Sequence, residues 1–150
     1  MEETNIYIVE NIKTARRLTK SILKEKNIDA CVFVELDKHQ QYKFDDTILT
    51  EIFNGKNIGL MSEAGTPCIA DPGNKVVEMA HEMNIQVVPL VGPSSILMAS
   101  MASGFNGQQF SFNGYLPIEA NARKSALQQM ETLAKKGITQ LFMDTPYRNQ

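Results

Sequence analysis

Lys56-Asn57-Ile58-Gly59-Leu60-Met61-Ser62-Glu63-Ala64-Gly65-Thr66-Pro67-Cys68-Ile69-Ala70-Asp71-Pro72-Gly73 is the stretch that decides the fold. Its first six residues read as a short strand, and Ser62–Pro67 as a loop in which Gly65 removes the Cβ obstacle and Pro67 fixes the exit direction. Asp71-Pro72-Gly73 then reads as a helix start, with Asp at the N-cap and Pro at the first helical position. The helix is expected to run to about Met83. Downstream, the nearly continuous apolar run Ile85–Val91 reads as a buried parallel strand. Gly92-Pro93-Ser94-Ser95 opens another helix, whose stop signal is Gly104.

The same alternation extends in both directions. Asn5–Val9 and Ala30–Glu35 read as strands, Thr14–Glu25 and Asp46–Phe53 as helices. Beyond Phe110, Phe112–Pro117 reads as a strand, 121–135 as a polar helix and Ile138–Met143 as a last strand. Strands alternating with helices imply right-handed crossovers and an α/β fold with a mainly parallel sheet flanked by helices. A boundary near Asn113–Pro117 divides the chain into an N-terminal α/β domain, 1–113, and the start of a second α/β domain, 114–150. In such sheets the ligand crevice lies at the carboxyl ends of the strands. Both Gly/Pro-rich loops, Ser62–Pro67 and Val91–Ser95, are expected there.

Composition narrows the class. With 43 % hydrophobic and 21 % charged residues among 150, the chain is globular rather than disordered. Fifteen Lys and Arg against seventeen Asp and Glu give a net charge of −2, which argues against a strongly basic nucleic-acid clamp. A local patch, Lys13, Arg16, Arg17 and Lys20, remains available, as does a solvated helix surface. Residues 83–118 contain no charged side chain, which suggests a strand and helix facing a core, then a cleft or subunit interface. The acidic, polar start lacks the features of a secretory signal, and no apolar run is long enough to span a membrane. Cys31 and Cys68 build neither a disulfide framework nor a zinc site, and both read as reduced thiols of a cytoplasmic protein.

Several familiar chemistries have no motif here. There is no Gly-x-Gly-x-x-Gly after a strand, no phosphate loop ending in Gly-Lys-Ser/Thr and no Gly-x-Ser-x-Gly elbow. The chemistry left open is transfer from a bound small molecule, where positioning does most of the work. The Ser62–Pro67 loop either holds a polar nucleoside-like ligand with its amides and the Thr66 hydroxyl, or is a tight turn. Ser94 and Ser95 either bind a carboxylate at a helix N-terminus or cap the helix. Glu10, at the end of the first strand, faces the expected crevice; His39 lies in a polar loop and is either a base or a solvated side chain.

At these loops the sequence resembles a known family. Ser62–Gly73 resembles the signature of the tetrapyrrole methylase superfamily of S-adenosylmethionine-dependent methyltransferases. Val88–Ser95 stands in register with its second motif, and Phe112–Pro117 with the segment entering the second domain. Glu10-Asn11 followed by Arg16-Arg17, His39, Tyr115-Leu116-Pro117 and the variant motif Met143–Arg148 resemble the branch that methylates ribose 2′-hydroxyls of small-subunit ribosomal RNA. The resemblance implies two α/β domains with S-adenosylmethionine folded into the cleft between them, in a homodimer; no metal is expected, because no Cys/His cluster has zinc spacing. Ser62, Glu63, Ala64, Gly65 and Thr66 would line the cofactor site, Ser94 and Ser95 would approach its methionine end, and Tyr115, Leu116 and Pro117 would pack near its adenosine. Asp144 and Arg148 would come from the second domain.

The family's first strand, with its Pro/Gly loop, has no counterpart before Asn5, and most of the second domain is missing, so the chain reads as truncated at both ends. A ribose hydroxyl needs a nearby base, for which Glu10 and His39 are the candidates. Two other readings stay open. The acceptor is a tetrapyrrole, corrin or porphyrin, or the chain is a non-catalytic ligand-binding or dimerisation module.

Overall fold

A computed structural model describes residues 3–36 and 45–148. The chain divides into two compact units, Met1–Pro93 and Ser94–Gln150. The boundary expected at 113/114 lies inside a strand, Phe110–Tyr115.

The first unit holds three parallel strands, β1 (Ile6–Val9), β2 (Val32–Glu35) and β3 (Ile58–Met61), in the order β2-β1-β3. β1 is the central one, and all four of its residues are buried. A strand covered on both faces carries a continuous apolar run, which is why Ile-Tyr-Ile-Val shows no alternation. The pleat still sorts the side chains. Ile8 packs with Val34, Leu60, Leu36, Ile48 and Val76 on the face covered by α2 (Asp46–Phe53) and α3 (Asn74–Glu82). Tyr7 and Val9 point the other way, to Phe33, Met61 and Ala15 of α1 (Ile12–Ile22). Tyr7 sits opposite Gly59, where a Cβ would come within 2.9 Å of the Tyr7 ring. A strand glycine is thus the space that the ring occupies. The same ring stacks on Phe33, centroids 5.1 Å apart, and its hydroxyl donates to the Thr4 carbonyl at 2.6 Å.

One expected strand is absent. Residues 85–94 form no regular structure. Ile85 packs against the core beside Ile8, but Val88, Leu90 and Val91 are exposed. Pro89 removes a ladder donor, and an apolar run alone does not secure a neighbour with which to pair. The expectation of a buried fourth strand was therefore wrong. The charge-free stretch 83–118 also leaves Met98, Met101, Phe105 and Ile118 exposed.

The second unit is a βαβ arrangement: β4 (Phe110–Tyr115), α5 (Ala120–Ala134) and β5 (Thr139–Met143), with the strands parallel. It is preceded by α4 (Ser95–Ser103), which begins at an N-cap Ser94 and ends at Gly104 in the left-handed conformation, as the sequence signals required. The strand ladder is interrupted between Phe112 and Tyr115, where Gly114 has φ +66°. The Asn113 side chain fills the bulge, donating to Gln140 Oε1 at 3.1 Å and the Leu141 carbonyl at 3.2 Å. Both units are therefore parallel sheets with helical crossovers, the α/β class read from the sequence. No helix among the described residues is long and apolar enough to cross a membrane.

Candidate functional site

The carboxyl ends of β1 and β3 lie side by side, because the two strands are parallel and Val9 is in register with Met61. Glu10 and Ser62 are the next residues on each strand. Glu10 Oε1 accepts a hydrogen bond from the Glu63 main-chain N–H at 2.9 Å. Glu63 Oε1 in turn accepts from the Thr14 hydroxyl at 2.6 Å. Thr14 stands in the first turn of α1, where Asn11 caps the helix by accepting from the Thr14 N–H at 3.1 Å. From β2, Glu35 accepts from the Ile12 N–H at 3.1 Å, satisfying another amide of the same helix start. Strand ends, helix start and loop are thus joined by one polar network.

The loop itself is held from two sides. The Ser62 hydroxyl donates back to the Gly65 carbonyl at 3.1 Å, closing the turn from within. Gly65 has φ +75°, and a Cβ built there would meet no atom within 4 Å. Glu63, Ala64 and Gly65 are exposed. Among the described residues, no acceptor takes the main-chain N–H groups of Ala64, Gly65 or Thr66. The second Gly/Pro-rich loop reaches the first, since a Cβ on Gly92 would lie 3.6 Å from Thr66 Cγ2. The outer side of the bend is bare main chain beside open space, so its backbone is accessible to a small polar ligand and is not plugged by the loop's own side chains.

On its far side the loop carries strain. Cys68 and Ala70 both have left-handed backbones, at φ 72° and 57°. For a residue with a Cβ that conformation costs about 1–2 kcal/mol. Asp71 holds the segment in place: its Oδ1 accepts from the Cys68 N–H and the Gly73 N–H, both at 2.7 Å. Gly73 must be small, because a Cβ there would come within 2.7 Å of that oxygen and 3.1 Å of Leu60. Asp71 does serve the helix start, but not as the N-cap that was expected. α3 begins at Asn74, its N-cap is Gly73, and no side chain caps it. The carboxylate is occupied with the loop. Burial, and then the neighbouring Asp71 carboxylate, push the Cys68 thiol above its ordinary pKa, which makes it a poor nucleophile.

The structure therefore brings together Glu10 and Ser62–Thr66, with Gly92 beside them. Ser94 and Ser95 open the second unit, and the Ser94 hydroxyl accepts from the Leu97 N–H at 3.4 Å, so it acts as a cap. In that unit Leu116 is buried, while Tyr115 and Pro117 are exposed at the end of β4. Asp144 Oδ1 accepts from the Thr145 N–H at 2.8 Å. His39 lies outside the described residues, as does the Arg148 side chain. No cluster of metal-ligating side chains occurs among the described residues. Sequence reading missed Thr14, Glu35 and the double role of Asp71. Asn11 caps the start of α1 in the structure, but nothing local in the sequence shows that Thr14 touches a residue 49 positions away.

No family model matches the chain. It is similar to proteins named ribosomal RNA small subunit methyltransferase I. Identity is 36 % over 132 residues to the protein of Vibrio cholerae serotype O1, covering 88 % of this chain and 44 % of that protein. The Escherichia coli O157:H7 protein is 36 % identical over 132 residues, 88 % of this chain and 45 % of its own length. That of Buchnera aphidicola subsp. Schizaphis graminum is 32 % identical over 148 residues, 99 % of this chain and 49 % of its own length. The chain spans about half the length of the curated relatives it matches.

Proposed function

We propose that this chain, which belongs to the same family as the ribosomal RNA small subunit methyltransferase I proteins, binds S-adenosylmethionine against the Ser62–Thr66 loop and serves methyl transfer to small-subunit ribosomal RNA. The observation that carries the reading is the bare main chain at Gly65, open on its outer side and tied at its base by Glu10 and Thr14. Unpaired amides and a half-buried Thr66 hydroxyl suit the hydroxyls and ring nitrogens of a nucleoside, and a glycine lets such a ligand approach the backbone. When bound, the sulfonium supplies an already activated methyl group. What this chain's residues must add is alignment and exclusion of water rather than covalent help.

The acceptor atom in this reading is a ribose 2′-hydroxyl, whose proton needs a base. Glu10 is the described candidate, because its carboxylate already touches the loop. His39 is the other candidate. Ser94 and Ser95 would meet the methionine end of the cofactor and Tyr115, Leu116 and Pro117 its adenosine. The same reading includes a homodimer acting in the cytoplasm. The names of the relatives favour RNA over a tetrapyrrole as acceptor.

Isothermal titration of the chain with S-adenosylmethionine, paired with radiolabelled methyl transfer to undermethylated small ribosomal subunits, tests the reading. Saturable heat and label resistant to alkaline hydrolysis of the flanking phosphodiester are expected, because a 2′-O-methyl removes the nucleophile for that cleavage. No heat at millimolar cofactor would leave a fold without the activity.

A further inference from the structure

We infer that one face of α1, carrying Lys13, Arg17 and Lys20, is a track for the phosphate backbone of the RNA substrate, leading away from the Ser62–Thr66 loop. The inference rests on the proposed function and adds the surface that the RNA would use. Residues 12–24 hold five of the chain's 15 Lys and Arg and no Asp or Glu, in a protein of net charge −2. The structure sorts these five. Arg16 is committed: it pairs with Asp29, and its guanidinium lies 5.6 Å from the Phe33 ring centroid. Lys24 lies past the end of the helix. Lys13, Arg17 and Lys20 are exposed, and none has an acidic partner among the described residues.

Their spacing puts them together. At 3.6 residues per turn, positions 13, 17 and 20 fall within an arc of about 60° and span about 10 Å along the axis. The buried residues of the helix, Ala15 and Thr19, lie on the opposite side, against the sheet. The stripe also has a fixed starting point. Lys13 adjoins Thr14, whose hydroxyl contacts Glu63 of the loop. An unpaired cationic stripe on a helix whose first turn is bonded to the candidate methyl-donor loop suits a polyanion held near the reacting group. Phosphate contacts of this kind position a nucleic acid without reading its sequence.

The test compares Lys13→Gln/Arg17→Gln/Lys20→Gln with an equal-charge control on α5 and the turn that follows it, Lys124→Gln/Lys135→Gln/Lys136→Gln. Affinity for protein-free small-subunit ribosomal RNA is measured across a salt series, and S-adenosylmethionine titrations are run on the same samples. Losing three phosphate contacts should flatten the slope of log affinity against log salt by about 2–3. Affinity at low salt should fall by about tenfold or more, with the control close to the parent. Cofactor binding should be unchanged in both variants. Equal losses in both variants, no RNA binding by the parent chain, or a loss confined to phosphatidylserine vesicles would each overturn the track. Failure of cofactor binding in the parent chain would instead count against the proposed function, whatever the salt slope shows.

Discussion

Asp71→Ala will destabilise the first unit by about 3 kcal/mol, a drop of about 12–24 °C in its melting midpoint. One carboxylate oxygen accepts the N–H groups of Cys68 and Gly73, each at 2.7 Å. Hydrogen bonds to a charged group are worth about 1.5–3 kcal/mol, and more is lost when the donor is left buried without a partner. Gly73 is buried, so its amide has no ready access to water. The same carboxylate restrains Cys68 and Ala70 in left-handed backbones that nothing else in their own chemistry favours. Asp71→Asn keeps one acceptor oxygen and should lose about half as much. Thermal unfolding followed by circular dichroism measures both. A change below 1 kcal/mol for Asp71→Ala would mean that the loop is held in some other way.

Replacing Gly65 should act on binding instead. Gly65→Val forces a β-branched residue into φ +75°, where even a simple Cβ costs about 1–2 kcal/mol, and fills the open side of the bend. S-adenosylmethionine affinity is expected to fall by two orders of magnitude or more. Gly65→Asn separates the two causes, because Asn tolerates the left-handed conformation while still placing a side chain in the open space. It should keep the parent's melting midpoint within a few degrees and still lose most of the cofactor affinity. Parent-like affinity in Gly65→Asn would show that the ligand does not rest on this backbone.

Much of this architecture could be read from local patterns. Ser94 and Gly104 mark the two ends of α4 through cap chemistry. The strands at 6–9, 32–35 and 58–61 were visible as short β-rich runs between polar breaks. The error at 85–91 has a physical cause: apolar content predicts burial only when a neighbouring strand supplies the other half of the ladder. Pro89 was the local warning. For the site, Gly and Pro punctuation located the loop, since Gly65 takes a left-handed turn at no steric cost and Pro67 fixes the exit direction. The network behind it was not legible. Glu10, Thr14 and Glu63 meet through parallel pairing of β1 with β3, and the register of that pairing is a long-range property. Glu10 therefore read as a lone carboxylate facing a crevice, whereas its carboxylate is also a strut for the loop.

In the proposed function the exposed main chain after β3 receives the cofactor. Two-dimensional amide NMR of the chain, titrated with S-adenosylmethionine, reads that contact residue by residue. The largest shifts should fall on the N–H groups of Ala64, Gly65, Thr66 and Gly92, with weaker ones at Glu63 and Thr14. Shifts gathered instead at the opposite end of the sheet, around the hollow of about 250 Å³ lined by Asn5, Gly55 and Lys56, would contradict it, as would a spectrum that does not move.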